Sequence, residues 1–161
     1  MKTFAWISCA LLVASLSGFL IGCGSSDERQ IMKIVRSSRE AFEKEDVDTL
    51  MGHLSQDCDG IVNSADGGAM QFTGKEELKA AFIKVFEEWD KIKLKLNDTV
   101  IKVSGDTATA SSDVKHTMTH LGLGSRVTTE GAITANLKNI EGVWKITRIE
   151  DNIGQWRHAL Y

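Results

Sequence analysis

Proline is absent from all 161 residues, so glycine, asparagine and aspartate must supply the chain reversals. A basic excess is lacking too: 19 lysines and arginines stand against 22 acids, a formal net charge of −3. A mildly acidic chain is a poor candidate for holding a phosphate backbone, which wants a basic face, so nucleic acid is not an expected partner. No internal repeat, low-complexity segment or long linker interrupts the chain, and its length suits one domain with a real core.

What is present begins at the N-terminus. Lys2 is a short positive start, and Phe4 to Ile21 is apolar or small and uncharged. At roughly 18 residues that stretch is near the lower limit for crossing a bilayer, and it has the features of a secretory signal. Leu20-Ile21-Gly22-Cys23 resembles the lipobox of bacterial lipoproteins at all four positions. The resemblance implies that residues 1–22 are removed and that Cys23 is lipidated. The thiol accepts a diacylglycerol group, and in many bacteria the new amine takes a further acyl chain. Several chains hold a protein stably on a membrane, where one is marginal. The alternatives are an uncleaved membrane helix and an ordinary secretory signal.

On the lipoprotein reading the mature chain has 161 − 22 = 139 residues. Cys9 leaves with the signal and Cys23 becomes a thioether, so Cys58 stands alone and no internal disulfide can form. A lone cysteine of this kind reads as a small buried apolar residue rather than a nucleophile. Residues 23–26 form a short tether, which keeps a domain spanning 27–161 near the membrane. The expected location is the bacterial cell envelope. In a cell with two membranes the resemblance to bacterial lipoproteins implies, by their sorting rule, that Gly24 rather than Asp after Cys23 favours the outer one, with the domain facing the periplasm.

The mature chain reads as helices followed by strands. Asp27 is the expected cap of a first helix, with Ile31, Ile34, Val35, Ser38 and Phe42 as its inner stripe. Asp46 or Asp48 caps a short second helix that buries Leu50 and Leu54. Thr73-Gly74-Lys75-Glu76 has the form of a capping box, and Leu78, Ala81, Phe82, Val85, Phe86 and Trp89 mark the apolar face of a third helix. Before it, Gly60 to Asn63 and Ala69 to Phe72 form two short strands around the Asp66-Gly67-Gly68 turn.

After Trp89 the period becomes two. Ile92, Leu94 and Leu96 point inward, and Lys91, Lys93 and Lys95 point outward. The phase slips before Ile101 and Val103, predicting a bulge at Asn97-Asp98-Thr99. Strands follow over Thr107–His120, Val127–Leu137 and Val143–Glu150, with short connections that imply a mostly antiparallel sheet. Helices followed by a meander give an α+β class.

Glu45-Asp46-Val47-Asp48-Thr49-Leu50, Phe72-Thr73-Gly74-Lys75-Glu76-Glu77-Leu78, Gly105-Asp106-Thr107-Ala108 and Glu141-Gly142-Val143-Trp144-Lys145-Ile146 together resemble the SnoaL-like branch of the nuclear transport factor 2-like superfamily. The resemblance runs from about Asp27 to Asp151. It implies a cone-shaped α+β barrel, in which a curved, mostly antiparallel sheet wraps the N-terminal helices and leaves a pocket at the open end. For many members it also implies a homodimer formed through the sheet. Isomerases, cyclases, dehydratases and non-catalytic binding domains share the fold, so the fold does not fix the function.

Strand parity supplies the site candidates. Ala108, Ala110, Ser112, Val114, His116, Met118 and His120 share one face of the long strand, taken as the concave one. On the last strand Trp144 and Ile146 share a side with Arg148 and Glu150. The expected ligand-binding residues are therefore Trp89, His116, Met118, His120, Arg148 and Glu150. His116 with Glu150 is the candidate catalytic pair, a carboxylate orienting an imidazole; the alternative is a pair of solvated rim residues.

No family catalytic motif matches residue by residue, so the reading leans away from an enzyme. The preferred function is a pocket for a small, mostly apolar ligand at the membrane surface. An isomerase, cyclase or hydrolase, or a structural dimer in an envelope complex, are the alternatives. Four residues of strand separate His116 from His120 by about 13 Å, too far for one ion, so neither a metal nor another cofactor is implied. The three lysines read as guards of a sheet edge or as a contact for anionic lipid. Trp156, Arg157 and Tyr161 read as a tail packed on the barrel, or as a dimer or membrane contact.

Overall fold

The computed structural model describes residues 25–63 and 69–152. The expected signal segment, Cys23, the Asp66-Gly67-Gly68 turn and the Trp156, Arg157 and Tyr161 tail lie outside the described residues. Three helices and six strands follow in the order α1 (Ser26–Glu43), α2 (Val47–His53), β1 (Leu54–Asn63), β2 (Ala69–Thr73), α3 (Lys75–Glu88), β3 (Trp89–Ser104), β4 (Thr107–His120), β5 (Arg126–Ile140) and β6 (Val143–Asp151).

α1 starts earlier than its sequence suggests. Ser25, not Asp27, is the cap: its hydroxyl accepts from the Glu28 N–H at 3.1 Å, and the Glu28 carboxylate accepts from the Ser25 N–H at 3.2 Å. Helix therefore begins inside the stretch read as tether. Asp27 is drawn away from a capping role, because its carboxylate accepts the Trp144 indole N–H at 3.0 Å. Caps of this kind contribute about 1 kcal/mol, so Ser25→Ala should lower the unfolding free energy by that much, seen as a lower denaturant midpoint at unchanged slope.

α2 is capped by Asp46, whose carboxylate accepts from the Thr49 N–H and hydroxyl at 3.0 and 2.6 Å. Leu54, read as helical, is the first residue of β1 and is buried there.

The capping box at Thr73 does not form. Thr73 is still strand, and its N–H donates to the Glu77 carboxylate at 2.7 Å. Gly74 caps α3 with φ of 89° and no side-chain bond; a turn this tight from strand into helix needs the left-handed region open to glycine. At the other end Trp89 continues the apolar face of α3 but belongs to β3, in extended conformation. Leu78 is the buried residue of α3, while Phe82 and Phe86 are half-buried.

The strands form one sheet in the order β2-β1-β6-β5-β4-β3. All neighbours are antiparallel except β1 and β6, which run parallel. Its inner face wraps the helices in a cone, and a core of Ile31, Leu50, Cys58, Leu78, Leu137, Trp144 and Ile146 lies between the layers. Gly60 lets β1 approach closely: a Cβ there would meet the Ile149 carbonyl oxygen at 3.2 Å and Leu78 Cδ2 at 3.6 Å. β3 is an edge strand with Lys91, Lys93 and Lys95 exposed along it. Its register shifts between Asn97 and Val100, where the bulge was expected, and again between Asp90 and Lys93.

Candidate functional site

β4 alternates without a break. Ala108, Ala110, Ser112, Val114, His116 and Met118 are all buried on the concave face. β5 pairs with it residue by residue, so Val127, Thr129, Gly131, Ile133 and Ala135 share that face.

His116 is the chemically notable residue of this face. It is 8% exposed and lies directly opposite Thr129, which is 4% exposed. Phe42 from the end of α1 stacks on the imidazole, with centroids 5.7 Å apart and planes at 11°. Phe82 and Phe86 meet the same Phe42 ring at 5.9 and 5.3 Å. Burial in this apolar setting pushes His116 down from 6.5 to about 4, because the charged form cannot be solvated there. The ring is therefore neutral at pH 7. Among the described residues, His116 Nδ1 and Thr129 Oγ1 have no hydrogen-bond partner. Deeper along the same face, the Ser112 hydroxyl is already satisfied by Thr99 at 2.8 Å.

The other expected site residues divide into two groups. Trp89 and Met118 are buried together with Ile92 and Val127, beside Phe42 and Phe86. His120 meets the Trp89 ring edge-on at 5.0 Å. Its Nδ1 accepts from the N–H groups of Gly122 and Leu123 at 3.1 and 3.2 Å, so this histidine closes the β4–β5 turn.

Arg148 and Glu150 are placed elsewhere, and here the sequence expectation is corrected. The β5–β6 register shifts between Asn136 and Leu137: Leu137 faces Ile146, yet Asn136 faces Arg148. The extra residue, Thr147, is a bulge that resets the alternation. Ile149 and Asp151 consequently take the concave side opposite Ala135 and Ile133, while Arg148 and Glu150 stand on the outer face opposite Asn136 and Thr134. There Arg148 donates to Glu150 at 2.6 Å and to Asp59 at 2.8 Å. These carboxylates raise the guanidinium further above its ordinary value, with the Glu150 bond the largest contribution. His116 and Glu150 thus lie on opposite faces and form no pair.

Sequence reasoning missed Thr129 and Phe42. The parity of Val127 and Leu137 on β5 carries the signal for Thr129; nothing local marks Phe42 as the ring over His116.

Cys58 is fully buried, and its thiol is pushed up to about 12 by burial, with Asp59 and Asp57 adding to it. A thiol held protonated in this way is not a nucleophile. Among the described residues no group of three His, Cys, Asp or Glu could hold a metal ion. A groove of about 400 Å³ lies at the wide sheet's outer surface, between Lys102, Thr107, Thr109, Asn136 and Lys138.

A family model for the SnoaL-like domain matches residues 31–150. The chain belongs to the SnoaL-like domain family. Solved structures agree in fold. A conserved protein from Planctomyces limnophilus DSM 3776 superposes with a TM-score of 0.70 at 20% identity, covering 80% of this chain and 96% of that one. The hexachlorocyclohexane dehydrochlorinase of Novosphingobium barchaimii LL02 gives 0.73 at 14% identity, covering 83% and 90%. A protein of the NTF2-like family from Streptomyces avermitilis gives 0.69 at 17% identity, covering 77% and 93%. At such identities the likeness shows the shared cone fold alone. Comparison with curated proteins gives no match.

Proposed function

We propose that this SnoaL-like domain is a membrane-anchored binding module whose concave face takes a small, mostly apolar ligand. The observation that carries the reading is the pair of buried, unpartnered polar atoms, His116 Nδ1 and Thr129 Oγ1, directly opposite each other on the concave face and flanked by Val114, Met118 and Val127. Leaving buried polar groups unsatisfied is costly, and a ligand carrying one donor or acceptor would satisfy them. Apolar walls with a few placed polar groups are the usual make-up of a small-molecule site. Phe42, Phe86, Trp89 and Met118 supply the wall here.

Catalysis is the second reading, favoured by one observation: a neutral imidazole held at about 4 is a free base at pH 7. Acting as a base would require a substrate proton within hydrogen-bond reach of that ring.

Lipidation of Cys23 after removal of residues 1–22 is the proposed anchor, supported by the Leu20-Ile21-Gly22-Cys23 motif. It would place the domain in the bacterial envelope, on the outer membrane facing the periplasm where there are two. A homodimer through the outer, Thr-rich sheet face belongs to the same proposal. Among the described residues no helix is long and apolar enough to cross a membrane.

Mass spectrometry of the purified, membrane-extracted protein should reveal a co-purified small molecule. Thr129→Val, which keeps the shape and removes the hydroxyl, should weaken its capture by roughly three- to tenfold, as loss of one hydrogen bond does. The ligand should stay unchanged on long incubation. Product that forms with wild type and vanishes with His116→Ala would replace this reading with the enzyme; unaltered capture by Thr129→Val would remove Thr129 from the site.

A further inference from the structure

The two ends of the cone differ in what they expose, and the start of α1 marks one of them. Ser25 caps α1, and Asp27 in its first turn accepts the Trp144 indole N–H at 3.0 Å. Trp144 is the second residue of β6, so the start of α1 is held against the β5–β6 hairpin. That hairpin turns at Glu141-Gly142 and ends in the cross-strand pair Ile140 and Val143, 41% and 53% exposed. The β3–β4 turn lies beside it, since the Asn139 N–H donates to the Asp106 carbonyl at 2.7 Å.

We infer that this end, with Ile140 and Val143 at its tip, rests in the interface of the phospholipid bilayer that carries the acyl anchor. The inference rests on the proposed lipidation of Cys23. Cys23 is two residues from Ser25 in the sequence, and two residues span at most about 7 Å. A tether that short brings the Ser25 end of α1, and with it the hairpin bonded to α1, to the membrane. Two adjacent apolar side chains at a strand-pair terminus are poorly placed for water and well placed for the acyl boundary. Lys102 and Lys138, which border the outer groove at the same end, can meet lipid phosphates from beside the tip. Asp106 and Glu141 stand at this end too, so net charge does not drive the contact.

The opposite end provides an internal control. Leu121 and Leu123 in the β4–β5 turn are still more exposed, at 56% and 78%. β5 has 15 residues between the two turns, which places them up to about 45 Å apart along the strand. Exposure alone would favour that turn for membrane contact; the position of the anchor favours Ile140 and Val143.

The test uses the full, processed chain reconstituted in phosphatidylethanolamine–phosphatidylglycerol vesicles. Nitroxide labels go on Val143→Cys or Leu123→Cys; Cys58, at 0% exposure, does not compete for the reagent. Collision with oxygen, which concentrates in the bilayer, is compared with collision with a water-soluble nickel complex. The label at 143 should favour oxygen severalfold, and the label at 123 should favour nickel. Mass spectrometry of the N-terminal peptide runs in parallel. If Cys23 carries acyl chains but the label at 143 lies in water, or that at 123 lies in lipid, the orientation is wrong and the anchor stands. If Cys23 carries no acyl chain, the anchor and the orientation fall together.

Discussion

Between pH 7 and pH 4 the folded domain should lose roughly 3 kcal/mol of stability through His116 alone. The ring's value in the folded protein is about 4, against 6.5 for an ordinary histidine. Below 6.5 the unfolded chain therefore takes up a proton that the folded chain refuses. Acid favours the unfolded state progressively through that window, and the stabilisation is complete only above it. His53 acts in the same direction, lowered first by burial and then by Lys145. Urea unfolding at pH 7, 5.5 and 4.5 should show the midpoint falling steeply in wild type. His116→Leu keeps an apolar partner for Phe42 and removes the titrating group, so its profile should be distinctly flatter. Equal slopes in the two proteins would mean that the ring charges in place, with water at its side, and would undo its description as a buried neutral donor and acceptor.

The part of the site on β4 was legible in the sequence, and the part on β6 was not. From Thr107 to His120 nothing interrupts the alternation, so the identity of each residue reports its face. His116 and Met118 are inward for the same reason as Ala108 and Ala110. β6 starts with the same clarity at Trp144 and Ile146, then loses it at Thr147. A bulge is decided by pairing across to Asn136, and no residue type near Thr147 announces it. By contrast the slip in β3 left a mark, because Ile101 and Val103 fall out of phase with Ile92, Leu94 and Leu96.

The helix boundaries failed for a different reason. Trp89 is buried on the side that α3 already buries, so the helical period runs on past the end of the helix. In the sequence Asp27 is as good a cap as Ser25, and only the fold shows that Asp27 is engaged by Trp144.

Leu78→Ala should cost the domain about 2–5 kcal/mol, the range for truncating a large aliphatic side chain in a packed core. Leu78 is 1% exposed, and its Cδ2 lies 3.6 Å from where a Cβ on Gly60 would stand. The Leu78 side chain therefore packs α3 onto β1 at Gly60, where β1 and β6 already lie close together, and little can relax into the space left behind. Phe82 and Phe86 belong to the same helix face but are half-buried, and their truncation should cost less than the full range for a buried aromatic. Arg148 supplies the opposite case. Its two ion pairs, with Asp59 and Glu150, are short, but the three side chains are 36%, 44% and 40% exposed. Solvent-screened pairs of that kind contribute little to stability, so Glu150→Gln should shift the midpoint only slightly. Equilibrium denaturation of Leu78→Ala and Glu150→Gln, compared at constant slope, checks both expectations. A large loss from Glu150→Gln together with a small one from Leu78→Ala would return Glu150 to the inside of the cone and remove the bulge at Thr147 from the account.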